Sequence, residues 1–205
     1  MKALFNKYYK KYDYWYDNNK FAYFSEIEAL RKAIPPGRGL EIGVGTGRFA
    51  ASLEIAIGVD PSLNMLKIAR RRGVNVCLGF GEGLPFFDNT FDYAAIIITL
   101  CFVDNPLKVL QEAGRVLKKD GRVILGIIDK DSFLGRFYRK KKSLFYKQAR
   151  FFGVEELKDL LKVAGFNTFS YYQTLFELPG KMKSVEKPCQ GFGKGGFVVI
   201  SSLLG

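Results

Sequence analysis

The sequence predicts an α/β fold: one domain over residues 1–205, built on a mostly parallel sheet with helices on both faces. Three observations predict it. An apolar strand, Leu40-Glu41-Ile42, runs into a turn that carries glycine on alternate positions, Gly43, Gly45 and Gly47. A second apolar strand, Ile57-Gly58-Val59, ends in a carboxylate, Asp60. From Leu40 onward, strand-like and helix-like segments alternate. With 205 residues the chain can bury one substantial core but not two.

The elements follow in order. Residues 1–39 form an aromatic, basic leader in which Tyr8, Tyr9, Tyr12, Tyr14, Trp15 and Tyr16 crowd together. Its rings suit either a lid over a binding site or a helix that covers the sheet. Ser25 and Glu28 read as a capping box opening a helix whose stripe is Ile27, Leu30 and Ile34, ended by Pro35-Pro36-Gly37. Residues 40–205 form the α/β core. Ser62 reads as the N-cap of a helix over 63–72 that stops at Gly73, and 74–78 as a third strand. The run from Phe91 to Thr99 is apolar but for Asp92 and Thr99, as expected of a strand buried on both faces. Asn105-Pro106 opens a helix with Leu107, Leu110 and Leu117 inward; Lys118-Lys119-Asp120-Gly121 turns the chain into a strand over 122–128. Arg136, Arg139, Lys140, Lys141, Lys142, Lys147 and Arg150 then make a basic segment. A helix over 154–164 closed by Gly165, and strands near 166–176 and 197–203, complete the chain.

Composition narrows the function. There is no histidine, which removes the commonest general base and the commonest metal ligand, so no metal site is expected. Three separated cysteines, Cys77, Cys101 and Cys189, fit neither a disulfide framework nor a zinc site. No apolar run approaches a membrane span and the first residues lack a signal-peptide core, so the expected compartment is the cytoplasm. The excess of 32 basic over 20 acidic residues, a net charge of +12, favours anionic partners.

The glycine spacing selects the ligand class. A strand-to-helix turn of this kind lets backbone approach a ligand that any Cβ would push away, and the following helix aims free N–H groups at an anion. A dinucleotide fingerprint places its third glycine three positions after the second, where Arg48 stands; here Gly47 comes two after, which argues against NAD and FAD. Glu41 fits poorly beside a pyrophosphate but suits the ammonium end of a zwitterion, directly or through water. S-adenosylmethionine has such an end. Asp60 stands where a carboxylate can accept both hydroxyls of a ribose, or serve only as a helix cap. Arg48 could meet the cofactor carboxylate or lie solvated in the first turn.

Beyond these, Asp60-Pro61-Ser62, Gly81-Glu82-Gly83-Leu84-Pro85-Phe86, Phe91-Asp92-Tyr93, Glu112 with 115–121, and Ala164-Gly165-Phe166 recur in order. With them the chain resembles the class I S-adenosylmethionine-dependent methyltransferases, especially the ubiquinone/menaquinone-biosynthesis-like (type 11) branch. The resemblance implies a Rossmann-like, seven-stranded sheet whose last strand is antiparallel, and S-adenosyl-L-methionine as cofactor. It implies Gly43, Gly45 and Gly47 at the methionine portion, Asp60 on the ribose, and Pro61 and Ser62 along the nucleoside. Many relatives carry, before the small residue and glutamate, an aspartate that accepts from adenine; here that position is Phe80. Backbone near Gly81, Glu82 as acceptor, or ring packing by Phe80 could replace it, and Glu82 could instead brace its loop. Thr99, Leu100 and Cys101 should border the pocket, at the carboxyl end of a strand. Relatives often have histidine there, so no catalytic base is assigned.

Three functions compete. The first is methyl transfer to a small molecule, an anionic one suiting the net charge. The second is an RNA or polyanion methyltransferase, motivated by basic residues interleaved with Phe137, Tyr138, Phe145 and Tyr146. The third is a non-catalytic cofactor-binding protein on the same scaffold. Oligomeric state and acceptor atom are not legible.

Overall fold

The structure, a computed structural model, describes residues 2–205. Two helices lead, α1 (Lys2–Asn18), kinked at Tyr8, and α2 (Lys20–Arg31). There follow β1 (Gly39–Ile42), α3 (Arg48–Leu53), β2 (Ile57–Asp60), α4 (Leu63–Arg71), β3 (Asn75–Leu78) and β4 (Phe91–Ile97). The remainder is α5 (Pro106–Val116), β5 (Leu117–Ile128), α6 (Phe133–Lys140), α7 (Val154–Val163), β6 (Phe166–Thr174), β7 (Cys189–Gln190) and β8 (Phe197–Leu204). One sheet runs β3-β2-β1-β4-β5-β8-β6-β7. The first five strands are parallel; β8 pairs antiparallel with both β5 and β6. The fold is the α/β one expected, with the two-residue β7 at the edge as an eighth strand. Among the described residues no helix is long and apolar enough to cross a membrane.

Alternation along β4 divides the core in two. Ala95 and Ile97 face a cluster with Tyr16, Ile27, Leu30 and Phe49 from the leader and α3, whereas Ala94 and Ile96 face Leu110, Val116, Leu157 and Leu161 from α5 and α7. Both faces are covered, which is why the strand could be apolar throughout from Tyr93 to Ile97, after the half-buried Asp92. Chain direction matters more for the site. Strands add outward from β1 to β3, then β4 returns to the other side of β1, so a crevice opens where the order reverses.

Local signals hold at most boundaries. Ser62 caps α4, accepting from the Met65 N–H at 3.4 Å, and Asn105 caps α5, accepting from the Lys108 N–H at 3.0 Å ahead of Pro106. Gly73 (φ +82°) and Gly165 (φ +92°) follow α4 and α7 in the left-handed region. The capping box at Ser25 is a correction. The helix begins at Lys20, and interior Ser25 donates to the Phe21 carbonyl at 2.7 Å; Glu28 pairs with Arg31 at 2.9 Å. Lys118–Gly121 does loop out, as an excursion within β5: Phe91 pairs with Leu117 and Tyr93 with Arg122, with Asp120 at φ +60°. Leu117 therefore starts the strand rather than closing the helix.

Candidate functional site

The crevice at the carboxyl ends of β1, β2 and β4 holds a cleft of about 200 Å³. The three glycines of its turn do different work. Gly43, at φ +77°, passes so close to Thr99 that a Cβ would lie 2.3 Å from Cγ2. Gly45, at φ +53°, faces the cleft; a Cβ there would meet only the Tyr12 ring at 3.8 Å and Met65 Sδ at 4.0 Å. Gly47 does not line the cleft. It precedes α3 at φ +77°, and a Cβ would lie 2.8 Å from that of Ala69, so it lets α3 pack against α4.

Asp60 is fixed from both sides. Its Oδ2 accepts the Gly45 N–H at 3.0 Å and its Oδ1 the Ser62 N–H at 2.8 Å, leaving lone pairs on each oxygen toward the cleft that Pro61 and Ser62 also line. Burial raises its pKa, the two backbone donors opposing. Glu41 lies beneath the turn, 1% exposed and off the cleft surface. Its Oε2 has no hydrogen-bond partner among the described residues, and burial drives its pKa well up, the Ala50 N–H opposing.

Gly81, Glu82 and Phe80 form the far wall. Gly81 is tightly seated, a Cβ meeting Ile42 Cγ2 at 3.0 Å. Glu82 Oε1 accepts the N–H groups of Asp104 at 3.2 Å and Asn105 at 3.5 Å, which is the bracing arrangement. Phe80 stands 53% exposed on the cleft rim. The 84–88 loop behind this wall is clamped by Arg115, which donates to the Leu84 and Phe86 carbonyls and to Glu112 and Asp88; Glu112 in turn accepts the Leu84 N–H at 2.9 Å. Arg115 accordingly holds the Glu112 pKa down at about 2. The Glu112–Arg115 pair is a scaffold for the loop.

The leader closes the cleft. Asn6 Oδ1 accepts from Ser62 Oγ at 3.0 Å and from the Asn64 N–H at 3.2 Å, buckling α1 onto the β2–α4 turn, while Phe5 and Tyr12 line the cleft. Deeper, Asp13 accepts from Arg48 Nε at 2.9 Å, Arg72 Nη2 at 2.9 Å and Thr46 Oγ1 at 2.7 Å. Arg48 also pairs with Asp17 and covers the Tyr16 ring at 5.6 Å. Arg48 is thus neither solvated nor at the cleft; it anchors the leader.

Thr99 borders the cleft, but Leu100 and Cys101 do not: they line a separate void of about 40 Å³, and burial pushes the Cys101 thiol up to about 12. Between them and β4 sits Ile98 at φ +49°, a conformation that β-branched residues avoid. Ile98 borders this void, the cleft, and a third chamber of about 350 Å³. That chamber is walled by Trp15, Tyr16, Tyr138, Phe145 and Tyr146, has Lys11, Lys141 and Lys142 on its lining, and shares Tyr12, Ile98 and Phe102 with the cleft. The rings interlock: Phe145 stacks on Phe5 at 5.4 Å, Tyr146 on Tyr138 at 4.3 Å, and the Tyr12 and Tyr16 hydroxyls meet at 2.9 Å. Burial raises the pKa of Tyr12, Tyr16, Tyr138 and Tyr146 alike, so none of them is set up as a phenolate base.

Sequence reasoning missed Asn6, Asp13 and Glu26. Glu26 lines the third chamber from α2. Its signal was present: a lone acid on the stripe Ala22, Glu26, Ala29, Leu30, all of which are buried.

A parallel sheet reversing its order at a glycine-lined cleft defines a Rossmann-like cofactor-binding protein. Residues 40–125 match the methyltransferase-domain family model. The chain is 51% identical over 201 residues to an uncharacterized protein of Methanocaldococcus jannaschii, covering 97% of this chain and 98% of that one. Its fold superposes with a TM-score of 0.98, at 50% identity and 100% coverage of both chains, on the crystal structure of a SAM-dependent methyltransferase, possible histamine N-methyltransferase, from Thermotoga maritima. A demethylmenaquinone methyltransferase of Corynebacterium kroppenstedtii is 38% identical over 103 residues, 47% of this chain and 45% of that one. The chain belongs to the class I S-adenosylmethionine-dependent methyltransferases, the family that uses S-adenosyl-L-methionine as methyl donor.

Proposed function

We propose that the chain methylates a small molecule seated in the aromatic chamber, with the cofactor in the adjoining cleft. The observation that carries this is the shared wall: the two cavities meet at Tyr12, Ile98 and Phe102, at the switch point where the family's chemistry belongs. The chain's own features fit the cofactor. Gly45 leaves room for close approach, Asp60 keeps acceptor capacity on both oxygens, and Glu41 holds an unsatisfied oxygen beneath the turn. In this reading Gly43 and Gly45 receive the methionine end and Asp60 the ribose diol, while Glu41, beneath the turn and off the cleft surface, reaches the ammonium only through an intervening water. Pro61 and Ser62 flank the nucleoside, and Gly81, Glu82 and Thr99 complete the walls, with Gly47 contributing through helix packing.

When bound, S-adenosylmethionine supplies a methyl group on a positively charged sulfur, a good leaving group. The chain's task is then to position and dehydrate. Aligning two bound reactants contributes about 7–11 kcal/mol in favourable cases, without any residue taking a proton. Tyr12 and Phe102 exclude water at the wall, and the buckled leader holds them there.

The same packing favours a small acceptor over RNA. Phe145 and Tyr146, read in the sequence as interleaved with basic residues, turn inward to wall the chamber, and Lys140, Lys141 and Lys142 remain exposed. The Thermotoga relative, a possible histamine N-methyltransferase, is itself named for a small-molecule reaction. A thermal-shift panel tests the cofactor. At one hundred times its dissociation constant, S-adenosylhomocysteine should stabilise the chain by about 2.7 kcal/mol, while NAD and FAD should not. Radiolabelled methyl should then enter the small-molecule fraction of a cell extract with or without RNase. Label lost on RNase treatment would favour RNA, and cofactor binding without any transfer a non-catalytic protein.

A further inference from the structure

Glu26 is the most anomalous charged residue in the molecule. It is fully buried, on the inward stripe of α2, and lines the aromatic chamber. Neither carboxylate oxygen has a hydrogen-bond partner among the described residues. Three chamber phenols, Tyr16, Tyr138 and Tyr146, stand close enough to feel its charge, but each is engaged with another phenol: Tyr138 stacks on Tyr146, and Tyr16 hydrogen-bonds with Tyr12. The chamber lysines, Lys11, Lys141 and Lys142, form no ion pair with it among the described residues, and all three are exposed.

An unpaired carboxylate in an apolar site is costly to keep. Nothing in the packing needs an acid there, because the neighbouring positions Ala22, Ile27, Ala29 and Leu30 are filled with ordinary apolar residues. The surroundings point to one kind of ligand. Two free acceptor oxygens ask for a donor carrying more than one N–H or a positive charge. Aromatic faces around them attract cations and flat apolar bodies, and a chamber of about 350 Å³ admits a small molecule. At the Glu26 end an anionic ligand would gain no cation, since Lys11, Lys141 and Lys142 are exposed and unpaired with Glu26, and it would oppose the carboxylate whenever that is charged; a wholly apolar one would leave it unsatisfied.

We propose that the aromatic chamber takes an organic amine, its nitrogen received by the Glu26 carboxylate at the buried end and its body held between the tyrosine faces. This deepens the proposed function, on which it rests, by naming the acceptor class and a residue that selects it. Burial raises the pKa of Glu26 well above the ordinary glutamate value, as fits a carboxyl whose partner arrives with the ligand.

The test is calorimetric, on the full chain saturated with S-adenosylhomocysteine. The probes are benzylamine and phenethylamine against their neutral isosteres, benzyl alcohol and phenethyl alcohol. The amines should bind the wild-type chain about tenfold or more tightly than the alcohols, and Glu26→Gln should erase that preference while binding S-adenosylhomocysteine as the wild type does. Amines and alcohols binding the wild type equally, or neither binding at millimolar concentration, overturns the inference without any variant having to fold. So does an amine preference that survives in Glu26→Gln. Failure of the wild type to bind S-adenosylhomocysteine overturns the proposed function itself, and the inference with it.

Discussion

Replacing Asp60 with alanine is expected to weaken S-adenosylhomocysteine binding by about a hundredfold or more, the largest loss from any single substitution at the cleft. Two hydrogen bonds from a ribose diol to a carboxylate are worth about 3 kcal/mol together at the low end. The substitution also frees the N–H groups of Gly45 and Ser62, which Asp60 now holds at 3.0 and 2.8 Å, so the turn loses its shape as well as its acceptor. Asp60→Asn would be no gentler: with both oxygens now accepting from backbone, an amide nitrogen in either place sets donor against donor. Titration calorimetry on Asp60→Ala and Asp60→Asn checks this. Affinity within about threefold of wild type in both would mean that the ribose is held elsewhere.

The second large effect lies outside the cleft. Asp13→Ala should destabilise the chain by about 2–3 kcal/mol, because Arg48 and Arg72 would then face each other without the carboxylate between them. The figure is kept below that of a fully buried pair because Arg48 and Arg72 side chains retain 15% and 27% exposure. The pH dependence carries a distinct signature. Burial alone would raise the Asp13 pKa, but hydrogen bonds from Arg48, Arg72 and Thr46 outweigh it and hold the group well below its ordinary 3.8. Above 3.8 the carboxylate is charged in both folded and unfolded chains and its stabilisation is complete. As pH falls below 3.8, the unfolded chain takes up a proton that the folded one refuses, and the contribution drains away. Urea denaturation from about pH 6 down to about pH 3 should show this acid loss in the wild type and a smaller one in Asp13→Asn. Parallel curves would mean that the network adds nothing. Loosening α1 should also weaken cofactor binding, since Phe5 and Tyr12 lose their anchor.

What the sequence made legible were features whose physics is local. The strand, glycine turn and acid at 40–60 need only each other, and the caps Ser62 and Asn105 and the stops Gly73 and Gly165 act within one helical turn. Ser25 misled for the same reason: a hydroxyl three residues before a glutamate satisfies the local pattern, but Asn19 interrupts the chain earlier and tertiary burial carries α2 through. The Asp13 node could not be read, because its arginines lie 35 and 59 residues away. The inward turn of two rings in the basic segment was not legible from composition. That segment's charges and rings alternate as in a nucleic-acid surface, yet folding sends Phe145 and Tyr146 inward to face α1 and α6. Gly43, Gly45 and Gly47 looked equivalent in the sequence; only packing distinguishes the one open to the cleft from the two pressed against Thr99 and Ala69.

Two cavities share Tyr12, Ile98 and Phe102, and the proposed function puts the methyl donor in one and a small acceptor in the other. A crystal structure of the chain with S-adenosylhomocysteine bound tests it most directly. The expected complex has ribose hydroxyls on Asp60 and the thioether sulfur directed at the shared wall, toward the aromatic chamber. A sulfur pointing away from that wall, or a ligand bound outside the cleft, would contradict it.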